Sequence, residues 1–312
     1  MRQFCVPWTS SIYDYDSYVF LLILVASAAL QLVTGDAASG GGKVGVIQNP
    51  KIPIFYNLFV KSEADIRRVK NLVAEQLALA RQEHPVFVHS IGTPMSIPNT
   101  TRIAHHEKAN EEVTLFSLWE HCRKKRSDKV IYLHSKGSYH SRNGLNDLLR
   151  GFLTRGALSK ECTNLPNTCN VCSSRMSPIP HPHTPGNMWL ARCDYVSKLM
   201  DPHEFPAAMN PIGGSWCRGS GRFSAEHWIY SHPAARPCDL YTDPKFVWGY
   251  SRLPRGEFSK ELKPAPRYPL ATYVKKGCGK NGQQLLQRLD EYQTLYQVAP
   301  TDTWWGWDFF ES

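Results

Sequence analysis

Hydrophobic positions along this chain change their period several times, and each change marks an element. Ile52 to Val60 is an almost unbroken apolar run of a length that suits a buried strand. Ser62-Glu63-Ala64-Asp65 then reads as a capping box, and Ile66, Val69, Val73, Leu77 and Ala80 recur at three- and four-residue steps, predicting a helix through about Gln82. Pro85 to Ile91, rich in β-branched residues, predicts a second strand. A loop containing Ser96 to Thr101 precedes a helix over 110–125 with Val113, Leu118, Trp119 and Cys122 inward, and Val130 to Leu133 forms the next strand. A third helix over 143–158 completes three strand–helix alternations. That order predicts an α/β fold, a mostly parallel sheet flanked by helices, in which ligands bind beyond the carboxyl ends of the strands. The loop after Leu133 is therefore the first place to look for chemistry.

Farther on the pattern weakens. Residues 161–186 are rich in proline and cysteine and read as loop, Asn187 to Ala191 as a short strand, Asp194 to Met200 and Ala225 to Ser231 as short helices. Residues 234–280 are irregular and basic. A last helix, Asn281 to Gln297, places Leu285, Leu289, Tyr292 and Tyr296 on one stripe, and the tail 301–312 carries Trp304, Trp305, Trp307, Phe309 and Phe310. The folded domain is thus expected over 51–300.

Upstream, 19 uncharged residues separate Asp16 from Asp36. The stretch lies between the length of a signal-peptide core and that of a bilayer-spanning helix, so residues 1–35 read as a tail with a signal anchor or a cleaved signal, and 36–50, with Gly40, Gly41 and Gly42, as a flexible stem. Both readings send the remainder into the secretory pathway, either to the Golgi or ER membrane as a type II protein or out of the cell. Eight of the nine cysteines follow this segment, enough for up to four disulfides, and Asn99-Thr100-Thr101 is a glycosylation sequon.

Composition adds a bias. There are 36 Lys plus Arg against 27 Asp plus Glu, a net charge of +9, which favours anionic partners. The basic run Arg123 to Arg126 closes a helix, where cations complement the dipole, and no nucleic-acid module accompanies it, so no nucleic-acid partner is expected.

Three segments can carry chemistry. Val130 to His140 runs four apolar residues into His134, Ser135, Lys136, Gly137 and Ser138, placing hydroxyls, a permissive glycine and a cation where backbone amides and Lys136 can hold a diphosphate. The plain alternative is a polar turn leaving a core strand. In His181 to Leu199, Gly186 and Asn187 precede Trp189, a close backbone approach beside an aromatic face on which a sugar can stack; the alternative is a loop entering a buried strand. In Ala225 to Pro233, Glu226 beside His227 offers a general base, although a glutamate near a helix start is favoured by the dipole alone. A zinc site from Cys169, Cys172, His181 and His183 competes with disulfides involving Cys162, Cys169 or Cys172.

In that order and at those separations the three segments resemble a group of glycosyltransferase-like proteins marked by a strand ending in H-[ST]-K-G, a later G-N-x-W segment with Asp-Tyr after it, and a helix with an acidic residue before a tryptophan. The resemblance covers roughly residues 52–233. It implies a GT-A-like nucleotide-sugar fold, with His134, Ser135, Lys136, Gly137, Gly186, Asn187, Trp189 and Asp194 binding donor or substrate and Glu226 catalytic. The chain departs from GT-A enzymes where that strand ends: His134-Ser135-Lys136 stands in place of the Asp-x-Asp that holds a divalent ion. Any diphosphate is then expected to meet mainly cations, Lys136 with Arg142 or Arg150, or else a divalent Mn or Mg ion held in an unfamiliar way. The expected partners are a nucleotide sugar, a glycan or glycoprotein acceptor, and a membrane through the N-terminal segment. The rival expectation is a secreted, non-catalytic carbohydrate-binding protein of the same fold.

Overall fold

The computed structural model describes residues 51–139, 144–176, 183–209, 223–232 and 234–240, with short strands at 263–264, 267–269 and 303–305. The chain divides into two units, 1–49 and 50–312, and every described residue lies in the second. The apolar segment before Asp36, Arg142, His181 and the helix expected over 281–297 lie outside the described residues. Among those described, no helix is long and apolar enough to cross a membrane.

The first apolar run becomes β1 (Ile54–Val60), buried on both faces as the centre of an α/β sheet requires. β2 (Val86–Gly92) and β4 (Lys129–His134) pair parallel to it on either side, and β3 (Thr101–His106) lies parallel to β2 at the edge. Next to β4 the direction reverses. β6 (Trp189–Arg192) runs antiparallel to β4 and to β5 (Val171–Ser173), and β7 (Pro237–Asp239) lies parallel to β5 with the two-residue β8 (Lys263–Pro264) antiparallel beyond it. Strand order is β3-β2-β1-β4-β6-β5-β7-β8, so the sheet is mixed but mostly parallel. β9 (Arg267–Pro269) and β10 (Thr303–Trp305) form a separate antiparallel pair containing Trp304 and Trp305.

Alternation along the strands divides the core in two. Ile54, Tyr56, Leu58, Ile131 and Leu133 pack with Val69, Leu72 and Val73 of α1 (Ile66–Leu77) and Leu149, Phe152 and Leu153 of α3 (Gly144–Ala157). Phe55, Val130, Tyr132 and Trp189 pack with Leu115, Leu118 and Cys122 of α2 (Glu112–Lys124) and with Trp228 of α7 (Ser224–Trp228). The connections run β1–α1–β2 and β3–α2–β4, which sets the amino terminus of α2 at the carboxyl edge of the sheet. Because the chain winds outward from β1 to β3 and then returns to put β4 on the other side of β1, the winding switches between β1 and β4. In open α/β sheets that crevice is where ligands bind.

Several sequence-based expectations differ from the structure for identifiable reasons. α1 stops at Leu77, and a 3-10 turn (Glu63–Asp65) precedes it; the Ser62 hydroxyl donates to Asp65 Oδ2 at 2.7 Å instead of capping a backbone amide. α2 buries Thr114 and Leu115 where Val113 was expected. β3 escapes the hydrophobic pattern because Thr101, Arg102 and Ile103 are exposed on an edge strand, and β5 and β7 are only three residues long.

Among the described residues three disulfides join Cys122 to Cys193, Cys162 to Cys172 and Cys169 to Cys238. They overturn the zinc alternative, since Cys169 and Cys172 are consumed in different bridges, and among the described residues no group of three or more His, Cys, Asp or Glu is placed to hold a metal ion. Such bridges persist in oxidising surroundings, which places this domain outside the cytosol, in a lumenal or extracellular compartment. Asn99 of the sequon is exposed, in a turn at φ +58°.

Candidate functional site

At the end of β4 the chain turns sharply, and its outward carbonyls are gathered by side chains from both neighbouring helices. Gln76 Nε2 donates to the His134 carbonyl at 3.3 Å, Arg150 Nη1 to that of Lys136 at 3.0 Å, and Arg68 to those of Gly137 and Ser138 at 3.3 and 2.7 Å. Gly137 sits at φ +86°, a conformation that a side chain would strain. Ser135 is buried and serves the scaffold: its hydroxyl accepts from the Phe59 amide of β1 at 2.9 Å, closing the crevice floor between β1 and β4. Arg150, a candidate phosphate cation in the sequence, is likewise committed. It is buried and pairs with Asp147 at 2.9 Å.

Lys136 differs from its neighbours. Its side chain is half-buried, its Cε would lie 3.4 Å from a Cβ placed on Gly186, and among the described residues its ammonium has neither an ion pair nor a hydrogen bond. A partly desolvated ammonium with no carboxylate partner is a point charge poised for an anion.

The second layer comes from the chain entering β6. Gly186 and Asn187 both have left-handed backbone, φ +84° and +50°. Gly186 requires this doubly, for a Cβ there would stand 2.7 Å from Leu153 Cδ1. The conformation aims the Gly186 carbonyl at His134 Nε2, 2.5 Å away; a carbonyl only accepts, so Nε2 carries a proton and Nδ1 is the nitrogen left to face Glu111. Asn187 is fully buried. Trp189 Nε1, which can only donate, reaches Asn187 Oδ1 at 2.8 Å and thereby fixes the amide orientation. Asn187 Nδ2 must then donate, and it does so to Glu111 Oε2 at 2.7 Å and to the Ala225 carbonyl at 3.1 Å.

Glu111, at the amino terminus of α2, is the hub of this group. Its Oε2 also accepts from Tyr132 Oη at 2.8 Å, and its Oε1 lies 3.7 Å from His134 Nδ1. Burial, and then the adjacent Glu111 carboxylate, push the Tyr132 phenol well above its usual range, so it remains a donor. The Tyr132 ring stacks on that of His134 and lies tilted by 30° against that of Trp189, with centroids 6.3 and 5.4 Å away. Glu226, half-buried in α7 next to Ala225, is close enough for its charge to act on Tyr132 as well.

The fold therefore brings His134, Lys136, Gly137, Gly186, Asn187 and Glu226 to one edge of the sheet, at the switch point. Four candidates require correction: Ser135 serves the scaffold, and Asn187, fully buried, orients Glu111 without reaching a ligand. Trp189 is fully buried and offers no face to a sugar; it orients Asn187. Asp194 is exposed in the first turn of α5 (Cys193–Val196), past the end of β6 that pairs with the start of β4, on the opposite edge of the sheet from His134. Glu111 was missed because a glutamate opening a helix reads as a partner of the helix dipole. Glu111 Oε2 already accepts two donors, and among the described residues no group of three or more His, Cys, Asp or Glu is placed to hold a metal ion.

Residues 55–309 match the model of a family described as a domain of unknown function (DUF8361). No curated protein and no solved structure matches the chain.

Proposed function

We propose that this chain, which belongs to the DUF8361 family, is a GT-A-type glycosyltransferase of the secretory pathway, moving a sugar from a nucleotide-sugar donor to a hydroxyl of a glycan or glycoprotein acceptor. The observation that carries the reading is the Lys136 ammonium, which has no ion pair among the described residues, on the same sheet edge as Glu111 and Glu226 at the switch point of a mostly parallel sheet. That crevice suits a nucleotide, and the cation suits its diphosphate. The three disulfides and the exposed sequon support a lumenal setting, and the apolar segment before Asp36 supplies a membrane anchor.

In an inverting transfer Glu226 takes the proton of the acceptor hydroxyl as its oxygen attacks the anomeric carbon. The bond from that carbon to the β-phosphate oxygen breaks, its electron pair leaves with the nucleoside diphosphate, and Lys136 stabilises the departing charge. No step runs through a metal ion.

Donor hydrolysis across a panel of nucleotide sugars tests the proposal. Release of nucleoside diphosphate is expected, with kcat lowered by roughly 100-fold or more in Glu226→Gln and donor KM raised about tenfold or more in Lys136→Ala. Absence of hydrolysis, together with no thermal stabilisation by any nucleotide, overturns it. Stabilisation by glycans without turnover points to the carbohydrate-binding reading, which His134-Ser135-Lys136 in place of Asp-x-Asp favours.

A further inference from the structure

We infer that Glu111 Oε1 and His134 Nδ1 form a recognition pair for one sugar hydroxyl, in which the carboxylate oxygen accepts the hydroxyl proton. The inference rests on the proposed function for the identity of the sugar's carrier but not for its geometry.

The two oxygens of Glu111 are not equivalent. Oε2 faces inward and is occupied by Tyr132 Oη and Asn187 Nδ2 at 2.8 and 2.7 Å. Oε1 has His134 Nδ1 beside it at 3.7 Å, and the glutamate side chain keeps 25% of its exposure while the histidine keeps 12%. A separation of 3.7 Å is too long for a hydrogen bond between the two atoms and short enough for one hydroxyl oxygen to reach both at about 2.8 Å. An alcohol, with one proton to give and lone pairs to offer, matches a carboxylate oxygen beside an N–H. It donates its one proton to Oε1 and accepts from Nδ1–H, the arrangement of an imidazole protonated on both nitrogens.

Every atom behind the pair is held. Trp189 sets the Asn187 amide, Asn187 and Tyr132 set the carboxylate plane, and the Gly186 carbonyl sets the imidazole ring. Asn187 is fully buried and non-glycine in the left-handed region, a cost that a fold carries where orientation matters. Such pre-positioning removes the ordering entropy that a mobile glutamate would lose on binding. Tyr132 and Asn187 are positioning residues; Glu111 and His134 touch the ligand.

The same network makes Glu111→Gln a clean probe. Asn187 Nδ2 can only donate, so the new amide oxygen must take the Oε2 place, and the NH2 group takes that of Oε1. The fold keeps its hydrogen bonds while the ligand meets a donor where it needs an acceptor. Isothermal titration is done with UDP-glucose, UDP-galactose, UDP-N-acetylglucosamine and GDP-mannose, with UDP and GDP as controls, and a glycan array is probed in parallel. Expected is a roughly 10- to 100-fold loss of nucleotide-sugar affinity in Glu111→Gln, with nucleoside diphosphate affinity and melting temperature unchanged. Tyr132→Phe, which loses one positioning donor, is expected to lose nucleotide-sugar affinity several-fold in the same selective way, and it decides the matter if Glu111→Gln does not fold. Unchanged sugar affinity in both variants overturns the hydroxyl pair and leaves the transferase proposal standing. Wild-type binding to glycans but to no nucleotide, lost in Glu111→Gln, keeps the pair and overturns the transferase proposal. Wild-type binding to neither overturns both.

Discussion

Asn187 Nδ2 stands 2.7 Å from Glu111 Oε2, across 76 residues of sequence, and both of its protons are used because the Ala225 carbonyl takes the second. One amide thus ties the segment entering β6 to α2 and α7, with Trp189 behind it.

Replacing Asn187 by aspartate sets a carboxylate oxygen against that of Glu111 at the same position. Two such groups cannot both remain ionised at this distance, so one takes a proton. The Asn187→Asp protein is expected to melt lower than wild type at pH 7 and to recover part of the difference toward pH 5. Differential scanning calorimetry across that range reads the effect, and a pH-independent difference would show that charge is not the cause.

Gly186→Ala meets two obstacles at once, the left-handed φ of +84° and Leu153 Cδ1 at 2.7 Å. A loss of about 2–4 kcal/mol is expected in urea denaturation, from backbone strain and overpacking together. Because the Gly186 carbonyl anchors His134, ligand affinity is expected to fall as well, whereas Gly151→Ala, inside α3 where an added Cβ meets nothing within 4 Å, leaves affinity unchanged and raises stability by up to about 1 kcal/mol.

His89 predicts a dependence on acid. It is buried in β2 between Ser117 of α2 and His106 of β3, its ring stacked on that of His106 at 5.5 Å, and His203 adds a further positive influence. Burial first, and then these two histidines, lower it from 6.5 to about 4. Between those values the unfolded chain binds the extra proton and the folded chain does not, so stability falls as pH drops from 6.5 toward 4. The loss from this group reaches about 3 kcal/mol. In His89→Gln the slope of unfolding free energy over that window is expected to flatten; an unchanged slope would assign the effect to other groups.

The bridge from Cys122 to Cys193 closes a loop with a sequence separation of 71 and clamps α2 to the turn after β6. The Cys122→Ser, Cys193→Ser double variant is expected to lose roughly 4 kcal/mol, read as a lower urea midpoint. Unreduced mass analysis after proteolysis should recover this pair along with Cys162–Cys172 and Cys169–Cys238; a Cys169–Cys172 peptide would contradict the fold.

How much of this was legible beforehand follows from where the information lies. β1, β2 and β4 announce themselves as short apolar or β-branched runs and the helices through apolar positions at three- and four-residue steps, and their alternation alone implies a parallel sheet and the importance of the loop after Leu133. Lys136 and Gly137 could be singled out for the same local reason. Trp189 was misjudged because sequence marks an aromatic residue without marking whether its face meets solvent or Tyr132.

What the sequence determined by itself is thus the set of elements marked by an apolar run or an apolar stripe and the chemistry each strand end can offer. Only the tertiary structure decided which side chains meet. The antiparallel entry of β6, the exile of Asp194 to the far edge and the selection of Glu111 over other acidic residues depend on contacts between segments 38 to 76 positions apart. Those contacts are set by hydrogen-bond direction and steric fit in three dimensions, quantities that leave no period along the chain.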